Sequence, residues 1–276
     1  MTGGTIRDCS AEYGGAVHLE GGEVTVTGGN INGNVALNGN GGGISINSGS
    51  FTLSGDALIN ANSALMQDSS TQKDVGNGGG VYVTSVTGKV SVNLISGTIT
   101  GNSSAQKGGG IGVDVSKVQT SAMVTVGEKD ASNGPVVTGN VTLLQGGGLY
   151  VNGMQANIEV NAGTIKGNST IGYVDNPDIM NETGMVTLNG GDVRSVNVIY
   201  DANGGSLRND ASITTIQQRV VTDTNNKLKA PVYEMSGYQI VRWNTRKDGL
   251  GTKDYHDGDI VKISSDLTLY AIWELE

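Results

Sequence analysis

The side chains able to do chemistry are few and scattered through this chain. Two histidines, His18 and His256, fall in different parts of the sequence, and neither has a second ligand at metal-site spacing. No metal centre and no cofactor are therefore expected. Cys9 is the single cysteine, which excludes an intrachain disulfide, and no histidine or asparagine signature marks it as a nucleophile. An inert, buried thiol is expected there. The glycine pairs lead into strand-like segments and not into helix N-termini, and G-x-x-x-x-G-K-[ST] is absent, so no phosphate cradle is expected.

What remains is a set of polar residues at recurring positions. His18, Ser45, Tyr82, Gly112 and Tyr150 occupy one place, and Glu20, Asn47, Thr84, Asp114 and Asn152 the place beside it. Of these, His18, Glu20, Tyr82, Asp114 and Tyr150 are the candidate ligand-binding residues. Tyrosine rings on a flat exposed face offer a rigid amphipathic surface on which a glycan can lie. The plainer alternative is that tyrosine and threonine are simply good outward strand residues. Glu20 and Asp114 lie three repeats apart, about 14 Å if repeats stack at strand spacing. Paired glycosidase carboxylates stand roughly 5 to 9.5 Å apart, so these two cannot share a proton transfer. Asp56, Asp68, Asp74, Asp130 and Asp178 fall in separate loops, and no catalytic residue is assigned. Loops escape the column argument, and Ser63 to Asn77 is long enough to carry Asp68 or Asp74 toward a neighbour.

The elements that would position these residues are repeated. Five segments open with glycines and run into an alternating strand: GGAVHL at Gly14, GGGISI at Gly41, GGGVYV at Gly78, GGGIGV at Gly108 and GGGLYV at Gly146. Their last glycines are 28, 37, 30 and 38 residues apart. A second apolar segment follows each, and then a third: TIRDC from Thr5, NINGN from Asn30, LINAN from Leu58, TITGN from Thr98, VVTGN from Val136 and TIKGN from Thr164. Three short strands per unit at this period describe a solenoid whose coils stack on one another. The alignment places Ile6, Ile31, Ile59, Ile99, Val137 and Ile165 in one inward column. Cys9, Asn34, Asn62, Asn102, Asn140 and Asn168 form a second column at a tight turn, where stacked amides bond along the axis. Neutral amides do not suit calcium, so this column is read as structural.

Composition agrees with an all-β chain of 276 residues. Glycine supplies 45 of them and proline 3, too little proline for collagen and too much glycine for helix bundles. The net charge of −9 lacks the basic footprint of a nucleic-acid binder, and no apolar run is long enough to insert in a membrane. Residues 1–195 hold 39 of the 45 glycines, whereas residues 196–276 hold 7 of the 12 aromatics, so two domains are expected with that boundary. In the second part Ile213, Ile216 and Val220 fall at helical spacing, which predicts a short helix across a sheet. Trp243, Trp273, Tyr238 and Tyr270 are expected to be core or half-buried, the alternative being a tryptophan exposed for ligand stacking. The opening TGGTI already reads as the middle of a repeat, so upstream and downstream segments of a longer chain are expected.

The glycine-led strands and Gly-Asn turns resemble the GG[AG]I-type, right-handed parallel β-helix repeats of bacterial surface proteins over residues 2 to 195. From Val198 the sequence resembles the Listeria-Bacteroides, internalin B-type repeat module. That likeness rests on Tyr200, Asp201, Asn203, Gly204 and Gly205, then Pro231, Gly237, Tyr238 and Trp243, and finally Thr268 to Ala271 with Trp273. Together these imply an all-β solenoid, a right-handed parallel β-helix of about six to seven coils, followed by a small β-grasp-like domain. They imply a non-enzymatic, extracellular segment of a bacterial cell-surface protein, a stalk or adhesin-like surface with a host or environmental glycan or protein as partner. Because β-helices also carry polysaccharide lyases and hydrolases, a carbohydrate-active enzyme is the alternative, and a glycan-binding module without catalysis is the third.

Overall fold

Branched residues alternate with polar ones between the glycines, and each such segment is a strand in the structure, a computed structural model describing residues 1–66, 75–115, 119–172 and 177–276. The described residues form strands and turns without a helix, and divide into two compact units, Met1–Arg194 and Ser195–Glu276.

The first unit is a parallel β-helix. Its leading sheet stacks six strands, Val17–Leu19, Ile44–Ile46, Val81–Thr84, Ile111–Asp114, Leu149–Asn152 and Ile179–Asn181, every neighbour parallel and in register. A second sheet stacks Glu23–Val26 through Met185–Leu188, and a third, of seven strands, stacks Thr2–Arg7 through Asp192–Val193. The inward column of the third sheet is as the repeat alignment expects. Ile31, Ile59, Ile99, Val137 and Ile165 are each 0 % exposed. Ile6, on the first rung, is only half-buried.

Each coil has a fourth strand that the three-strand reading misses. Ser10–Ala11, Val35–Leu37, Ser63–Leu65, Ser103–Ser104, Val141–Thr142 and Ser169–Thr170 form a parallel sheet just after the asparagine turn. This strand explains the glycine triplets. Gly108 takes φ +67°, a left-handed conformation. At Gly109 a Cβ would lie 2.5 Å from the Val141 carbonyl oxygen, and at Gly110 3.0 Å from the Asn140 amide nitrogen. The triplet thus turns the chain, lets the fourth strand approach backbone to backbone, and clears the amide.

The asparagine column is a hydrogen-bonded ladder. Asn62 donates from its backbone N–H and from Nδ2 to Asn102 Oδ1, both at 3.0 Å, and its second Nδ2 proton goes to the Ile31 carbonyl at 2.9 Å. Asn34, Asn102 and Asn140 repeat the pattern. Asp178 ends the run, its Oδ1 accepting both donors of Asn168 at 3.0 Å. At the first rung Cys9 contributes its backbone N–H to Asn34 Oδ1, but its thiol is exposed and not buried as expected. The reason is local: the first rung's side chains stand largely in solvent.

The left-handed residue of the turn is the one before each asparagine: Gly33, Gly101, Gly139 and Gly167 have φ between +62° and +72°, and Ala61 has +53°. A Cβ in this region costs about 1 kcal/mol or more, partly offset by the freedom glycine adds to the unfolded chain. Ala61→Gly is therefore expected to stabilise the protein by about 0.5 kcal/mol. A denaturant midpoint that falls instead of rising would contradict this account of the turn.

The second unit is built on a mixed five-stranded sheet in the order Thr215–Val221, Ser195–Asp201, Leu267–Leu275, Tyr238–Asn244, Asp254–Tyr255. Ser195–Asp201 and Leu267–Leu275 run parallel; the other pairs are antiparallel. The helix expected from Ile213, Ile216 and Val220 is absent, and Thr215–Val221 is a strand instead. Tyr200 and Trp243 pack edge to face, with ring centroids 5.1 Å apart, in a core with Val198, Tyr233, Leu269 and Ala271. Trp273 is half-buried, its Nε1 donating to the Ala202 carbonyl at 2.8 Å. Tyr238 departs from the expectation, at 39 % exposed.

Candidate functional site

The five residues singled out on the leading strands separate into three places. On the first rung His18 Nε2 and Glu20 Oε1 stand 3.2 Å apart, with the Tyr13 ring 5.9 Å from the imidazole. Glu20 is exposed, so this pair is solvated. On the fourth rung Asp114 Oδ1 accepts from Asn152 Nδ2 at 3.2 Å, one rung on, and Asn152 Oδ1 accepts from Thr183 at 2.7 Å. Glu20 and Asp114 do not meet; their strands are separated by two intervening rungs.

The tyrosines are the larger departure. Tyr82 is 8 % exposed and Tyr150 2 %, so they do not form an open face. Segments leading into the strands lie over the sheet. A Cβ on Gly112 would touch both the Tyr82 ring, 3.2 Å away, and the backbone of Gly78, 3.1 Å away. Over Tyr150 lies Lys107, its Nζ 4.6 Å from the ring centroid. The same Nζ donates to the Tyr150 hydroxyl at 2.7 Å and lies 3.5 Å from Glu182 Oε2, to which the phenol donates in turn. Burial first, and then the neighbouring Glu182 carboxylate, push the Tyr150 phenol well above the usual tyrosine range. It remains protonated and fully bonded. The trio ties three consecutive rungs together, and its hydroxyl is not presented to solvent.

Among the described residues no group of three or more His, Cys, Asp or Glu side chains comes together. Asp68 and Asp74, with most of their loop, lie outside the described residues.

A concavity lies in the second unit. The chain rises through Tyr233–Glu234, turns at Ser236 and Gly237, and returns as the strand Tyr238–Asn244. The two arms meet at Met235 and Tyr238 and then part, because Tyr233–Glu234 pairs with Ser206–Leu207 and the Tyr233 hydroxyl donates to the Tyr200 carbonyl. Between them is a cleft of about 770 Å³, whose lining includes the apolar Ile240, Met235 and Trp273 and the polar Arg208, His256 and Asp257. That volume suits a bound segment or small ligand. Sequence reasoning missed it because it read Tyr238 as core or half-buried; the Met-Ser-Gly-Tyr turn was the available signal.

With the parallel pair of strands, the closing Trp273 and the buried Tyr200 and Trp243 in place, the second unit can be compared with known families. Residues 197–272 match the Listeria-Bacteroides repeat domain. No curated protein and no solved structure matches the chain. The Listeria-Bacteroides repeat is typical of bacterial surface proteins. Its match here spans the core strands and Trp243, and stops one residue short of Trp273.

Proposed function

We propose that this chain is a non-enzymatic, extracellular segment of a bacterial surface protein, a stalk or adhesin-like surface. The match of residues 197–272 to the Listeria-Bacteroides repeat carries this reading. A stacked β-helix supports it physically, since each rung buries its apolar column on the next and holds a long polar surface without a globular core. The glycine-led rungs fit GG[AG]I-type surface repeats, and the acidic balance, 15 Asp and Glu against 8 Lys and Arg in residues 1–195, suits a solvated spacer.

The alternative is a polysaccharide lyase or hydrolase, for which the described residues offer the Lys107, Tyr150 and Glu182 trio, where a phenol lies between a cation and a carboxylate. Its burial speaks for a structural role. Incubation with pectins, glycosaminoglycans and mucin glycans is expected to yield no new reducing ends or unsaturated products, and antibodies to the chain are expected to label intact cells of the source bacterium. Turnover that disappears in Glu182→Gln, or labelling only after lysis, would reject the proposal.

A further inference from the structure

We infer that the cleft of the Listeria-Bacteroides repeat receives an extended, basic peptide that pairs with the open edge of the strand Tyr238–Asn244. The inference stands apart from the surface-protein reading, since it uses only the geometry of residues 195–276.

The register shows where the free hydrogen-bonding groups point. The Glu276 N–H donates to the Gly237 carbonyl at 3.2 Å, and Tyr238 lies opposite Leu275. In an antiparallel ladder this makes Tyr238 and Leu275 a non-hydrogen-bonded pair, and Gln239 with Glu274 the hydrogen-bonded one. Gln239 therefore turns its backbone groups toward Leu267–Leu275, whereas Tyr238 and Ile240 turn theirs the other way, into the cleft. The Tyr238 N–H is taken by the Met235 carbonyl at 3.0 Å, which closes the turn. The Ile240 N–H and C=O have no strand beside them. The next strand, Asp254–Tyr255, reaches only Trp243 and Asn244.

An unpaired edge sunk in a cleft selects its occupant by hydrogen bonding. Alternating N–H and C=O groups at strand spacing match another polypeptide in extended form. The register shift between Ile240 and Arg242 limits the run to a few residues, which sets a weak, reversible interaction.

Charge points to a basic partner. The cations lining the cleft are already paired, Arg208 with Glu234, and Arg242 with Asp254 at 3.2 Å and Glu274 at 3.8 Å. Asp257, by contrast, accepts from the Ala230 N–H at 2.9 Å and has no ion pair among the described residues. A lysine or arginine on the incoming strand would complement it, while Ile240, Met235 and Trp273 take an apolar neighbour.

The test is titration of the full chain with a decapeptide alternating valine and lysine, followed by backbone amide NMR and hydrogen exchange. The expected result is a shift and slowed exchange at the Ile240 amide, lost when the peptide is N-methylated on one edge, and binding about threefold weaker in Asp257→Asn. An Ile240 amide unmoved at millimolar peptide, or equal binding of the N-methylated peptide, would overturn the inference. So would cellohexaose shifting the Trp273 indole while the peptide does nothing, which marks a saccharide site. Concentration-dependent protection of Ile240 without peptide would also overturn it, because the occupant would then be a second copy of this chain.

Discussion

Ile99→Asp is expected to unfold the middle of the β-helix. Ile99 is 0 % exposed and stacks in register between Ile59 and Val137, so the new carboxylate has no water and no cation within its column. Losing the buried side chain costs about 2–5 kcal/mol, and burying an unpaired acid costs several more. The sum rivals the whole stability of an ordinary domain, roughly 5–15 kcal/mol. Because each rung contacts only its neighbours, the damage is expected to start at the fourth rung and spread both ways. Ile99→Val keeps the column apolar and is expected to cost about 1 kcal/mol. Circular dichroism during chemical denaturation measures both variants. An aspartate variant with an unchanged midpoint would mean that the column is not the core.

The second large effect is expected from Asn102→Leu. The substitution nearly keeps volume but removes four hydrogen bonds from a fully buried side chain. Asn62 loses the acceptor for its N–H and its Nδ2, the Ile59 carbonyl loses a donor, and Asn140 Oδ1 loses one of two. An orphaned buried polar group costs about 1–3 kcal/mol, so a loss of about 4–6 kcal/mol is expected. Amide exchange at Asn62 should accelerate with it. A loss below about 1 kcal/mol would show that the ladder is incidental to stability.

The inner column and the asparagine ladder were legible in the sequence because both repeat a residue type at a fixed place in a unit. The fourth strand was not, since its inward residues, Ala36, Ala64, Ser104 and Thr142, are small or polar and carry no apolar alternation. In the second unit Thr215–Val221 passed for a helix because of Gln218. Its side chain sits between Ile216 and Val220 on the same face and breaks the period of two. Gln218 earns that place through hydrogen bonds: its Oε1 accepts from the Tyr200 hydroxyl and the Lys229 N–H, both at 2.9 Å, and its Nε2 donates to the Lys227 carbonyl at 2.8 Å. Tyr82 and Tyr150 alternate outward as read. What covers them, Lys107 and the glycine-led turn at Gly78, comes from outside the strands, and alternation within a strand does not show it. The cleft was signalled only by its Met-Ser-Gly-Tyr turn, because it arises from two arms of that turn parting company over a bond between Tyr233 and Tyr200.

The asparagine ladder also has a direction. Each amide gives one Nδ2 proton to the Oδ1 of the later rung and the other to an isoleucine carbonyl of the earlier one, while its own Oδ1 accepts from the earlier rung, so the same half-joint appears at each junction. A whole rung can then be removed or duplicated without leaving a mismatched joint on either side. Differences in unit length, 28 to 38 residues, are absorbed in the loops and leave the joint untouched. The reach of such a rod is therefore heritable in increments of about 4.8 Å, one duplication or deletion at a time.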